Sequence, residues 1–151
     1  MFMTDDEVNP SSTRTLIVGF SAAVGAATRL LLRQGQPIRS ILVIAIDPNQ
    51  AVAAAALGVR SETGSSMGAV ESHLHESLTK VLIDVADDSF ADSLVRLVRR
   101  RAARARIVVR GTRPDSIPRL VDSGASHAFC DAAIAGNDAL AFQFLFHAHF
   151  L

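Results

Sequence analysis

Short apolar runs alternate along the chain with segments whose apolar residues recur every third or fourth position. Thr15 to Gly19 reads as a first strand. Ala22 to Gln34 reads as a helix that turns Ala27, Leu30 and Leu31 inward, and Gly35 and Pro37 stop it. Ile41 to Asp47 forms the second strand. Pro48 suits the first turn of the next helix, which ends at Gly58. A weaker third strand spans Val59 to Thr63, and a short helix follows in which Val70, Leu74 and Leu78 are spaced by four. Val81 to Val85 is a clear fourth strand. The helix from about Ser89 places Phe90, Leu94 and Leu97 on one face. Ile107 to Arg110 is the fifth strand, Pro114 to Val121 a helix closed by Gly124, His127 to Cys130 a short sixth strand, and Ala132 to Leu151 reads as helical.

Strands alternating with helices predict an α/β fold, and right-handed crossovers turn it into one doubly wound, Rossmann-like parallel sheet. The expected strand order is 3-2-1-4-5-6, with helices on both faces. No internal repeat or linker interrupts the pattern, so a single domain over 15–140 is expected. It is flanked by a loose polar arm over 1–14 (Asp5, Asp6, Glu7) and an apolar terminal helix over 141–151. A length of 151 residues with 49% hydrophobic content suits one core, and scarce aromatics suit strands buried under small-sided helices. The formal net charge of zero offers no global attraction to nucleic acid or membrane. Cys130, the single cysteine, cannot form an internal disulfide and fits a reducing cytoplasm, as a small core residue at a strand end. No apolar run reaches the roughly twenty residues that a bilayer span needs.

The layout predicts a ligand crevice where the strand order reverses, between the carboxyl ends of strands one and four. The first βαβ unit carries a loose version of the dinucleotide fingerprint. Gly19 and Ser21 hold the first and third positions around Phe20, Val24 holds the sixth, and a glycine is displaced to Gly25. Small side chains there let the backbone approach a pyrophosphate, which the free N–H groups of the following helix attract. Asp47, at the end of the second strand and roughly twenty residues beyond the turn, suits the ribose hydroxyls, with Pro48 beside it. No arginine follows Asp47, which favours NAD or NADH, or an adenine nucleotide such as ATP or ADP, over NADP. Ala86, Asp87 and Asp88 close strand four. The two aspartates suit either a ribose or the cap of the next helix. Arg110 arrives from strand five, and Gly64 and Ser65 from strand three. The bland alternative is a doubly wound domain that has lost its ligand.

These residues resemble the nucleotide-binding N-terminal lobe of the regulator of potassium conductance (RCK) domain, found also in peripheral subunits of Trk-type potassium uptake systems. The resemblance runs from about Thr15 to Leu140. It rests on Gly19-Phe20-Ser21, Asp47, Leu57-Gly58 followed by Gly64-Ser65-Ser66, Val81 to Asp88, Ile107-Val108-Val109-Arg110, and Ser123-Gly124-Ala125. Three positions depart from the family pattern: Ser65 replaces an aspartate that helps bind nucleotide, the third glycine is displaced, and Asp131 replaces a proline. The resemblance implies a cytoplasmic module that senses a nucleotide or ion and acts on a membrane potassium pore, supplied by another chain or by a further part of this one. It also implies a homodimer or higher oligomer in which the C-terminal helix crosses to the partner.

Other groups carry less chemistry. His73 and His75, like His147 and His149, are two apart and on a helix would point about 200° from each other, away from a shared metal. Arg99, Arg100, Arg101, Arg104 and Arg106 cluster at a helix end, where cations complement the dipole while solvated; the alternative is an acidic partner or a lipid headgroup. No Gly-x-Ser-x-Gly elbow and no P-loop occurs. Phe142, Phe144, Phe146 and Phe150, with Leu145 and Leu151, would surround a terminal helix and favour self-association. The competing functional class is an NAD-dependent oxidoreductase or a fragment of one. It would need a proton donor or acceptor near the nicotinamide, and no His, Tyr or Lys has such a setting, so no catalytic residue is expected.

Overall fold

The computed structural model describes residues 13–130. Six parallel strands, β1 (Thr15–Val18), β2 (Ile41–Ala45), β3 (Arg60–Thr63), β4 (Lys80–Asp84), β5 (Arg106–Gly111) and β6 (His127–Cys130), form one sheet in the order β3-β2-β1-β4-β5-β6. This is the doubly wound order expected from the alternation. Helices α1 (Ala22–Arg33), α2 (Pro48–Ala56), α3 (Met67–Glu71), α4 (Asp88–Arg101) and α5 (Ile117–Asp122) follow β1 to β5 in turn. Among the described residues no helix is long and apolar enough to cross a membrane.

The period-two geometry of the strands divides the core between the faces. Ile17, Val43, Leu82 and Val108 pack with Ala23, Val24 and Ala27 of α1 and Ala54 of α2. Leu16, Val18, Ile44, Ile83 and Val109 point the other way, to Val70 of α3, Leu94 and Val98 of α4, and Leu120 of α5. Every residue of β1 and β2 is buried, which is why these strands read as unbroken apolar runs. Cys130 is a free, partly buried thiol closing β6.

Three local expectations change. The helix carrying Val70 stops at Glu71, because His73 N–H bonds to the carbonyl of Val70 and Leu74 N–H to that of Glu71, tightening the chain into turns. Leu78 is still buried, but it packs as the approach to β4. The segment from Pro114 divides into a 3₁₀ turn (Pro114–Ser116) and α5, since Pro118 has no N–H for the carbonyl of Pro114. Thr13 and Arg14, expected in the loose arm, are fixed: Arg14 N–H bonds to the Ser40 carbonyl at 2.8 Å, and Thr13 accepts from Arg60 Nη2 at 2.8 Å. The expected terminal helix lies outside the described residues.

At the end of α4 the arginines divide in role. Arg99 is turned inward, donating from Nε and Nη2 to the Gly124 carbonyl (3.0 and 2.7 Å) and from Nη1 to those of Ala103 and Ala105 (2.7 and 2.9 Å). It thereby fastens the helix end to the approaches of β5 and β6, while Arg100 and Arg104 stay exposed as expected.

Gly19 and Gly35 both adopt positive φ (88° and 99°), but a Cβ on Gly35 meets nothing within 4 Å, whereas one on Gly19 lies 2.0 Å from the backbone carbonyl oxygen of Asp84. Gly35→Ala therefore costs about 1–2 kcal/mol, the strain of the left-handed region alone. Gly19→Ala adds a collision with backbone that cannot step aside, and should cost at least about 3 kcal/mol in urea unfolding. Equal losses for the two variants would contradict this packing.

Candidate functional site

The crevice forms where the chain leaves β1 and β4 in opposite directions. Gly19 donates its N–H to the Ile44 carbonyl at 2.9 Å and presses against the Asp84 backbone, the close approach that needs glycine. Phe20 buries its ring in the α1–α2 side of the core. Gly25, expected to let α1 approach a strand, instead faces that ring, and a Cβ there would sit at an ordinary 3.5 Å from it. Ser21 holds the second glycine position at φ −69°, open to any residue, so its side chain costs nothing. Its hydroxyl caps α1 by accepting from Val24 N–H (3.3 Å) and donates to Asp84 Oδ2 at 2.5 Å.

Asp84 is the residue that sequence reasoning missed. Its side chain is 1% exposed and its Oδ1 takes the Arg110 Nε–H at 2.6 Å. Asp84 and Arg110 are register partners on adjacent strands, so pairing of β4 with β5 delivers acid and base to the same level. A carboxylate ending an otherwise apolar buried strand, with an arginine in the corresponding place on the next strand, was the available signal. Gln50 was missed as well: its Oε1 accepts from both Phe20 N–H and Ile46 N–H, each at 2.9 Å, and so ties the β1–α1 turn to the β2–α2 turn. Its mark in the sequence is the Asp-x-x-Gln spacing of a capping box from Asp47.

The remaining predicted residues line the carboxyl rim. Asp47 is exposed and caps α2 by accepting from Gln50 N–H at 2.9 Å, with Pro48 in the first turn. Asp87 caps α4 through Ser89 and Phe90 N–H, at 2.8 and 3.2 Å. Asp88 reaches across to Thr112 N–H at 2.8 Å. Burial would raise the Asp88 pKa, but hydrogen bonds from Ser116, Thr112 and Arg113 outweigh it and hold it below the usual carboxylate value. Both aspartates thus anchor α4 and its neighbouring loop. Ala86 is exposed beside them. Gly64 bonds to the Ala45 carbonyl at 2.8 Å and packs where a Cβ would lie 2.5 Å from the Ala69 methyl. With exposed Ser65 it sits at the β3 edge, two strands from β1, while the following Ser66 caps α3.

The structure therefore brings Gly19, Ser21 and Arg110 together around Asp84, turns Phe20 into the α1–α2 core, sets Asp47 and Pro48 one strand away, and leaves Gly64 and Ser65 at the edge. Two features fit a dinucleotide. Ala22, first in α1, and Ala86, just after β4, are exposed and carry only methyl groups, so neither blocks the amino end of α1 with a long side chain. Asp84, bonded to the Ser21 cap of that helix, has its charge offset by Arg110. His73 pairs with Glu62 at 2.8 Å, and no group of three or more His, Cys, Asp or Glu able to hold a metal occurs among the described residues.

No protein-family model matches the sequence, and no curated protein matches it significantly. Solved structures share the fold. The TrkA-N domain of the inner membrane protein YbaL from Escherichia coli aligns with a TM-score of 0.67 at 18% identity, over 89% of this chain and 95% of that one. The GsuK channel bound to NAD aligns with a TM-score of 0.65 at 18% identity, over 84% of this chain and 22% of that one. Prephenate dehydrogenase from A. aeolicus, in complex with hydroxyphenyl propionate and NAD+, aligns at 0.60 and 19% identity, over 82% of this chain and 43% of that one. The chain thus shares its fold with a TrkA-N domain and with parts of a channel and of a dehydrogenase, which agrees with the fold that the sequence resemblance implied.

Removing Arg110 strands a buried carboxylate. Arg110→Met should destabilise the domain by about 3–5 kcal/mol, and Asp84→Asn combined with it should restore part of that loss. A double-mutant cycle in urea measures the difference. Strictly additive losses would mean the pair is not coupled.

Proposed function

We propose that this chain is a cytoplasmic regulatory domain that binds NAD(H) or an adenine nucleotide and passes its occupancy to a separate potassium pore. The observation that carries the reading is the Ser21–Asp84–Arg110 network at the carboxyl ends of β1, β4 and β5, which joins the amino end of α1 to the buried Asp84, with the exposed carboxylate of Asp47 at the end of the neighbouring β2. First-turn N–H groups of α1, at Ala22 and Ala23, would hold the diphosphate, and the Asp47 oxygen not used in capping would accept from the ribose. A bound nucleotide supplies negative charge and hydroxyl donors there. The response belongs to Ser21, whose hydroxyl already bridges the cap of α1 and the buried Asp84, so that charge arriving at the helix end bears on both halves of the sheet. The fold shared with the YbaL TrkA-N domain and with GsuK bound to NAD supports a regulatory role.

The fold shared with prephenate dehydrogenase keeps an oxidoreductase as the second reading. Ser21, Asp84 and Arg110 bond to one another, however, and none is set aside as a proton donor or acceptor for a hydride acceptor's partner group. Oxidation of NADH by the purified chain with simple carbonyl substrates would favour that reading over regulation.

Calorimetry with NAD, NADH, ATP and ADP should detect at least one ligand, and Asp47→Ala should weaken it about ten- to hundredfold, the loss of a charge-assisted hydrogen bond. Silence from all four at millimolar concentration would leave a domain that has lost its ligand.

The apolar C-terminal segment supports self-association as part of the same reading. Light scattering should show a dimer or larger species, and removing residues 141–151 should yield a monomer or an insoluble product. A monodisperse monomer of the intact chain would remove the dimer from the proposal.

A further inference from the structure

The amino end of the sheet has its own chemistry. Parallel strands all begin there, and the register sets Lys80, first in β4, beside Arg106, first in β5. Like charges on neighbouring strands repel, and Arg99 and Arg104 add two more cations to the same groove. The groove holds about 560 Å³ and is also lined by the hydroxyl residues Ser77, Thr79 and Ser126; among the described residues its one carboxylate is Glu76. Lys80 Nζ has Gln36 Oε1 at 3.4 Å. Burial lowers the Lys80 pKa, and burial together with the charge of Arg106 lowers that of Arg99. Arg100 and Arg101 continue the basic surface into an adjoining groove that shares Arg104.

The neutral charge of the whole chain conceals this. All fifteen Lys and Arg fall within residues 14–119, whereas the described residues hold only ten of the fifteen Asp and Glu, giving them a net charge of +5. The N–H groups of Arg99 are taken by carbonyls and the Thr79 hydroxyl by that of Arg14, so Arg99 adds positive charge while Lys80, Arg104 and Arg106 carry the matching to an oxyanion of high charge.

We infer that the groove at the amino end of the sheet, built by Lys80, Arg104 and Arg106 with Ser77 beside the charge of Arg99, is a second anion site for a phosphate group, carried either by a soluble phosphate ester or by an anionic lipid headgroup. It lies at the opposite end of the strands from the nucleotide crevice, and it does not depend on a nucleotide binding there.

Pyrophosphate titrated into the ¹⁵N-labelled full chain is the test. Amides of Ser77 to Lys80, Ala105, Arg106 and Ser126 should shift. Arg104→Ala, an exposed change, and Lys80→Gln, which keeps a donor, should each weaken binding about tenfold, the loss of one charge-assisted contact. Arg113→Ala, at the carboxyl end, should not. Vesicle sedimentation identifies the source: retention on phosphatidic acid but not on phosphatidylcholine, lost in Arg104→Ala, assigns a lipid headgroup, and no retention assigns a soluble phosphate. Shifts confined to Gly19 to Val24, no shifts at all, or unchanged affinity in both groove variants would overturn the site.

Discussion

The close meeting of Gly19 with Asp84 is the constraint on which the rest of this domain depends. A doubly wound sheet must send the chain in opposite directions from β1 and β4, and the turn after β1 passes directly over the end of β4. Any side chain at residue 19 would collide with the Asp84 carbonyl, so the backbone there is glycine in a left-handed conformation. The Asp84 side chain then works in the space this leaves, accepting from Ser21 on one side and Arg110 on the other. A buried carboxylate unpaired at this point would be strongly destabilising. Paired, it contributes little net stability but sets a polar geometry that few alternative packings can satisfy.

Much of this was legible in the sequence because burial on both faces erases alternation and leaves apolar runs with sharp ends. His127 to Cys130 was readable as a strand, and the order of the sheet followed from handedness once the strands were known. The helix after β3 misled because Val70, Leu74 and Leu78 keep a spacing of four whether the chain is helical throughout or turns after Glu71, and periodicity does not see i-to-i+3 bonds. Within the site, the cap at Asp87 was readable because capping is local, whereas Asp47, read as a ribose acceptor, caps α2 as well. Asp84 and Gln50 were not readable, since their roles come from partners 26 to 63 positions away, brought near only by the sheet. Ser21, a departure from the glycine fingerprint, works as a cap precisely because its φ is ordinary, which spacing alone does not reveal.

The side-chain bonds divide the domain into two halves. Gln50 joins the turns after β1 and β2, binding α1 and α2 to the side of the sheet that ends in β3. On the other side Asp88 pins the start of α4 to the loop after β5, and Arg99 pins its end to carbonyls before β5 and β6. Both ends of α4 are thus tied to the segments that flank β5 and lead to β6. The halves meet along β1 and β4, where Ser21–Asp84 crosses at the carboxyl end and Lys80–Gln36 approaches at the amino end. Each crossing therefore sits beside one of the two clefts, the crevice over Asp84 or the basic groove at Lys80. Charge bound in either would lie beside the contacts that join the two halves, so its first effect would fall on the Ser21–Asp84 bond or on the Lys80–Gln36 approach.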